Sequence, residues 1–201
     1  MINLSPAKIE GFLKIYDPNN GEVFVDKHNA IHYENMSISL AQSLANKNLG
    51  YIYAMAFGNG GSAVDPTGVI TYLPPNTTGQ NADLYNQTYL KVVDNNSAAN
   101  TDPTRNKLDV LHTPGKVYSD ILVTCLLDYG EPAGQQAFDN STNFNGEFVF
   151  DELGLKAWTG ESNDLRLLTH VIFHPVQKSL NRQIQIDYTI RIQTLTNLSA
   201  A

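Results

Sequence analysis

The chain has 201 residues and a net charge of −7, from 13 basic and 20 acidic side chains. That length suits one large domain with its own core, and the acidic balance argues against nucleic-acid phosphates as a direct partner. Charged residues make up only 16%, against about a quarter in ordinary globular domains; Asn, Thr, Ser and Gln replace them, and these favour loops and turns. No run of eighteen apolar residues occurs, so no membrane-spanning helix is expected. Met1–Glu10 lacks the charged-then-apolar order of a secretory signal. Cys125 is the only cysteine, so no intrachain disulfide can form, in keeping with synthesis in a reducing cytosol.

In chain order, Ile9–Tyr16 and Glu22–His28 read as strands, separated by Asp17-Pro18-Asn19-Asn20-Gly21. Pro followed by Asn-Gly is a strong turn signal and predicts a hairpin in which Gly21 takes a positive φ. The period then changes: Met36, Leu40 and Leu44 recur every fourth residue beside Ala41 and Ala45, predicting one amphipathic helix over 34–47 that Asn46, Asn48 and Gly50 terminate. Tyr51–Phe57 resumes as a strand, and Gly58-Asn59-Gly60-Gly61 ends it. That glycine run lacks the spacing and the Lys-Ser/Thr ending of a phosphate loop and is read as a turn.

Residues 59–117 are irregular, broken by Pro66, Pro74, Pro75, Pro103 and Pro114, with one ordered-looking island at Asp83–Val93. So long a connection inside one domain is unusual. It is read as an inserted extended loop or arm, and Tyr72, Tyr85 and Tyr89 are its candidate subunit contacts, because Tyr combines contact area with a polar tip; a plain surface loop is the other reading. Ile121–Leu127 predicts a central strand buried on both faces, with Cys125 an inert small hydrophobe in it. Gly130–Gly146 is a polar loop, and Glu147–Phe150 restarts a strand. Leu167–Phe173 is a strand stopped by His174-Pro175, expected to pair as a C-terminal hairpin with Arg182–Leu195. In that last stretch Ile184, Ile186, Tyr188, Ile190 and Ile192 alternate with polar residues, the period of a strand covered on one face. Gln183, Gln185 and Arg191 on its polar face join the candidate contacts. The fold expected is therefore mainly β: one antiparallel β-sandwich over 1–201 with one helix and a long central excursion.

No cofactor, metal or catalytic residue is nominated. His28 and His32 are four apart but straddle a strand-to-helix junction without the Glu of a zinc helix. His170 and His174 fall on a strand, which holds them roughly 13 Å apart. Asp94–Asp102 resembles a calcium loop in composition only, lacking the sixth-position glycine and the closing glutamate. Asp151 and Glu152 are adjacent acids that a regular strand points to opposite faces. Asn76–Thr78 matches a glycosylation triplet of the sort an Asn-rich chain contains by chance. No Ser-His-Asp or Cys-His spacing is present.

Two stretches carry a resemblance: GFLKIYDPNNGEVFVDKHNAIHYENM with the helix and AFGNGG after it, and FDELGLKAW followed by LLTHVIFHPVQKSLNRQIQIDYTIRI. Together they span somewhat over half of the chain, and they resemble the opening and closing patterns of a widespread group of tailed-bacteriophage virion proteins. The resemblance implies a non-enzymatic accessory part of a phage particle, made in the host bacterial cytoplasm and residing in the virion. Its partners would be other virion proteins and copies of itself, as a multi-copy capsid decoration, neck or tail subunit. The alternative is a carbohydrate- or receptor-binding sandwich reaching a host-surface glycan, with Tyr51, Tyr53, Tyr72, Tyr85 and Trp158 available to stack on sugar rings; the duller role for Trp158 is to anchor its loop.

Overall fold

The computed structural model describes residues 7–133 and 147–194. Most of the expected loop Gly130–Gly146, Met1 to Pro6 and Leu195 lie outside that range. The alternating ribbon near the carboxyl end is a strand, β13 (Ile184–Thr194), whose Ile184, Ile186, Tyr188 and Ile190 are buried while the residues between them are only partly covered. It occupies the middle of a five-stranded antiparallel sheet. Its neighbours are β1 (Ala7–Tyr16) and β9 (Tyr118–Leu127), and the edges are β2 (Val23–His28) and β8 (Lys107–Leu111). Side-chain rows run across the inner face: Leu13, Tyr188, Val123 and Leu108 lie side by side, as do Ile15, Ile186 and Cys125.

A second antiparallel sheet covers that face. Its order is β3 (Ala30–Ile31), β12 (Thr169–Ser179), β10 (Glu147–Ala157), β4 (Ile52–Gly58) and β7 (Gln87–Val92), with the short β11 (Arg166–Leu167) added on β10. Met55, Phe57, Phe150, Leu153, Leu155, Val171 and Phe173 meet the rows of the first sheet in one apolar core. The result is the expected mainly β, antiparallel sandwich. Each fully buried Leu, Ile or Phe contributes about 1.5–3 kcal/mol, so this core is the main stabilising term. One polar thread crosses it: the Tyr188 hydroxyl is hydrogen-bonded to Asn29 and to Thr169 of β12, and burial pushes its phenol well above the usual range.

The first hairpin forms as read, with β1 and β2 paired and Gly21 at φ 77°. The helix, α1 (Tyr33–Leu44), is the only one among the described residues. Asn46 and Asn48 follow it with φ of 51° and 57°, the left-handed conformation that Asn tolerates after a helix. Its buried side is Asn35, Met36 and Ser39 with Leu40 partly covered, whereas Leu44, expected on the apolar face, is 87% exposed.

Two further expectations are corrected. β12 and β13 do not form a hairpin: they lie in different sheets, so the connection between them crosses from one layer to the other. His174-Pro175 does not end β12 either. The strand continues to Ser179, and Pro175 sits where the register against β10 shifts, between Val176 opposite Phe150 and Ile172 opposite Glu152. A proline without an N–H is tolerated at such an irregularity. β3 covers only Thr169 and His170 of the outer edge of β12; just beyond it, Lys27 Nζ donates to the Ile172 carbonyl at 2.6 Å.

Within residues 59–117, β5 (Ser62–Val64) and β6 (Ile70–Tyr72) form a separate hairpin, while β7 and β8 extend one edge of each sheet. Buried Asn100 and Asn106 fix the loop between those edges: Asn100 Nδ2 donates to the Asp94 and Asn106 carbonyls, and Asn106 Oδ1 accepts from the Leu126 amide.

The glycine of the Glu-Leu-Gly-Leu segment has a steric reason. A Cβ on Gly154 would stand 2.5 Å from the Thr169 carbonyl oxygen and 2.7 Å from Leu167 Cδ1. Gly154→Ala should therefore destabilise the fold by about 2 kcal/mol or more, read as a lower urea midpoint with the slope unchanged.

Candidate functional site

A cluster of buried polar groups lies on β10, where Asp151 and Glu152 are 3% and 0% exposed. The register shift between Phe150 and Glu152 breaks the regular strand geometry, so the two acids do not serve unrelated faces as a plain strand implies. Their carboxylates end at consecutive amides of one turn. Glu152 Oε1 accepts from Gly60 N (3.1 Å) and Asn86 N (2.8 Å), and Oε2 accepts from Tyr85 N (2.9 Å). Asp151 Oδ1 accepts from Gly61 N (3.0 Å), and Oδ2 accepts from Ser62 N (2.8 Å) and the Ser62 hydroxyl. The glycine-rich run 58–61 is thus a turn whose amides face two buried carboxylates. A side chain at Gly58 would strike the Glu152 carboxylate and the Asn86 carbonyl.

His170 completes the cluster. Fully buried on β12, it places Nε2 at 2.9 Å from Glu152 Oε2 and accepts from Asn76 N at Nδ1 (2.8 Å). Lys156, also buried on β10, holds Asp83 at 2.7 Å. His32 caps α1 by accepting from Asn35 N, and its Nε2 lies 2.9 Å from the Gly79 carbonyl; Asn35 Nδ2 reaches the Gln80 and Leu167 carbonyls. These side chains bind the segment 73–86 as a strap across the second sheet, where Leu84 packs on Ala56 and Leu167 as a small second core.

The pairing of a buried glutamate with a histidine has the look of a general acid/base dyad, and the geometry assigns it another task. A general base needs a lone pair facing a substrate proton. Both Glu152 oxygens are engaged, three times by backbone amides and once by His170. Burial pushes this carboxyl up, but the hydrogen bonds from His170, Asn86, Tyr85 and Gly60 outweigh it and hold the group below its ordinary range. Cys125 is fully buried, and burial pushes its thiol up to about 12, which leaves almost no nucleophilic thiolate near neutrality. Among the described residues no group of three or more His, Cys, Asp or Glu side chains converges to hold a metal, and no helix is long and apolar enough to cross a membrane. Asp94 and Asp102 are engaged locally, with Asn96 N and with Thr104 and Arg105.

The candidate contact residues fall in different settings. Tyr72 is 51% exposed on β6, its hydroxyl 3.3 Å from His174 Nδ1, and Tyr85 is 39% exposed with its hydroxyl donating to the Pro74 carbonyl. Tyr89, expected at the surface, is instead partly buried against the core with its ring 5.9 Å from Phe57. The polar residues of the last strand have partners within the chain. Gln183 Nε2 donates to Asp128 and Gln185 Nε2 to Asp187, while Arg191 grips Asp120 through two 2.8 Å bonds and stacks on Tyr118. Trp158 is partly buried against Tyr53 and Tyr51, and its amide and carbonyl bond Tyr51 and Gly50. Exposed apolar side chains gather elsewhere, on the β5–β6 hairpin and its exit: Val64, Val69, Tyr72 and Leu73.

Sequence reasoning weighed Glu152 and His170 separately and set both aside without bringing them together, and it missed Lys156. The signal was an Asp-Glu pair flanked by the apolar runs Phe148–Phe150 and Leu153–Leu155, since acids drawn into a core need donors and a glycine-rich turn offers bare amides.

Glu152→Gln replaces a charged acceptor of four bonds with an amide that also presents donors. It should cost about 3 kcal/mol or more, read by urea unfolding. Because the folded carboxyl lies below its unfolded value near 4.3, its contribution is complete above that value and is lost as pH falls through the folded one. Stability measured from neutrality into acid should therefore fall less steeply for Glu152→Gln than for the parent chain.

No protein-family model, curated protein or solved structure matches the chain.

Proposed function

We propose that the chain is a structural subunit of a tailed-bacteriophage particle, acting through contacts with neighbouring virion proteins or copies of itself. The observation that carries this reading is where the buried polar groups are used. Asp151, Glu152, His170 and Lys156 hold the turn 58–62 and the strap 73–86 at fixed positions on the second sheet, and these segments flank the β5–β6 hairpin. That hairpin carries Val64 and Val69 at 65% and 56% exposure, with Tyr72 and Leu73 beside them. An anchored hairpin with exposed apolar side chains suits docking, since ordering costs are met before the partner arrives. The resemblance of the opening and closing segments to virion proteins supports the same reading.

A second reading, a glycan-binding module, is favoured by one observation. Between the strap and residues 159–166 lies a cleft of about 510 Å³ lined by Gln80, Asn81, Asp83, Gln87, Lys156 and Arg166 among others. Among the described residues the Arg166 guanidinium bonds only the Gln42 side chain, which leaves donors for sugar hydroxyls. Trp158 does not line this cleft.

Under the first reading, purified particles contain the chain as a stoichiometric band. Val64→Asp combined with Val69→Asp should lower its incorporation by about tenfold or more, from the loss of two apolar anchors, with the unfolding midpoint of the isolated protein unchanged. A chain absent from particles sinks the proposal. Under the second, a glycan array gives a signal that Arg166→Ala abolishes.

A further inference from the structure

We propose that His170 is a proton-operated latch on the segment that joins the β5–β6 hairpin to the strap, closed when the imidazole is neutral and opened when it takes up a second proton. The argument rests on donor and acceptor roles. The Asn76 amide 2.8 Å from Nδ1 can only donate, so in the closed arrangement Nδ1 carries no hydrogen. The Glu152 carboxylate 2.9 Å from Nε2 can only accept while ionised, so Nε2 carries the hydrogen. The closed state thus admits one tautomer of the neutral ring. A second proton has only Nδ1 to occupy, where it sets N–H against N–H and breaks the bond to Asn76. On the other side it turns the Nε2–carboxylate contact into an ion pair and strengthens it.

Opening is therefore directional. Glu152 keeps its hold on Gly60, Tyr85 and Asn86, while the chain at Asn76 comes free. The neighbouring ties on that side are the Leu73 amide on the Gly61 carbonyl, the Tyr85 hydroxyl on the Pro74 carbonyl, and Asn76 Nδ2 on the Asp83 carbonyl. His170, its side chain fully buried, is among the residues along a groove of about 500 Å³ between β2 and β12, with Tyr72, Leu73 and Pro75. The ionisable groups that face it are known on every side. Glu152 comes from β10, and Tyr85 from the strap, its ring 5.7 Å away. Asp26, Lys27 and His28 of β2, and His174 of β12 itself, line the groove; Lys27 is engaged with the Ile172 carbonyl. His174 makes no second latch, because its contact at Nδ1 is the Tyr72 hydroxyl, which can accept as readily as donate. Freeing Asn76 removes one tie from the exit of the hairpin, where Leu73 N still donates to the Gly61 carbonyl, so acid would soften the surface proposed above for docking. Only that biological use rests on the docking proposal; the latch is a property of the isolated chain.

The test is amide hydrogen exchange on the full-length protein at about pH 7.5 and about pH 5, either side of the ordinary imidazole range, corrected for intrinsic rates. Protection at Asn76 should fall by about tenfold or more in acid while Tyr85 and Asn86 keep theirs, and His170→Gln should remove the difference. Unchanged protection at Asn76 overturns the proposal. So does loss shared equally with Tyr85 and Asn86, which would make Glu152 or general unfolding the cause, and so does a pH response that survives in His170→Gln. Should that variant fail to fold, nitrogen chemical shifts of the parent chain at neutral pH decide instead: a hydrogen on Nδ1 of His170 overturns the latch, a hydrogen on Nε2 supports it. Particle incorporation is scored at neutral pH, so either proposal can fall without the other.

Discussion

A carboxylate withdrawn from water must find donors, and the sandwich is arranged around that requirement at Glu152. An ionised acid with no exposed surface is costly unless every lone pair is matched. Here the matching donors come from three separated parts of the chain: Gly60, Tyr85 with Asn86, and His170. The acid therefore acts as an assembly point. It forces a long insertion with little core of its own to return twice to the same spot on the second sheet. Asp151, one residue earlier, extends the grip to Gly61 and Ser62. Together they turn a composition that would otherwise read as loose loop into a located surface.

The other half of the design is apolar and sits at the centre of the first sheet. β13 has β1 on one side and β9 on the other, so its inner residues are shielded laterally as well as from above. Only Tyr188 breaks the apolar row, and its hydroxyl reaches across to the second layer through Thr169. Such a bridge fixes how the layers slide relative to each other, which dispersion contacts alone specify weakly. The crossing from β12 to β13 then joins the two layers through the chain itself.

Much of this was legible locally. The period of two in Ile184–Ile192, the Pro and Asn-Gly turn before β2, and the period of four that begins at Met36 each depend on neighbours a few residues away; the strand and the turn appear where expected, and the helix forms but ends at Leu44 rather than Lys47. What was hidden depends on distant partners. An apolar run such as Leu167–Phe173 marks a strand but not the sheet it joins, so the hairpin with β13 was a reasonable and wrong pairing. Leu44 has the right spacing for a buried position, but the helix turns Asn35 and Ser39 inward instead, because Asn35 is needed by the Gln80 and Leu167 carbonyls. The clamp is the extreme case: Glu152 and its amide donors are separated by 66 to 92 residues, and no local pattern encodes such a meeting. An aromatic such as Tyr89 offers the same surface chemistry whether it faces a partner or a core, so its place could only be read from the fold.

The ammonium of Lys27 beside the Ile172 carbonyl has a consequence for how this molecule behaves in company. Where β3 stops, β12 offers a bare strand border, the kind of template on which a stray polypeptide can add itself and seed fibrils. A lysine reaching over from the opposite sheet occupies the first free carbonyl and confronts any incoming backbone with a fixed positive charge. Any chain present at high concentration gains from such a guard, since a covered strand border leaves fewer routes to unintended pairing.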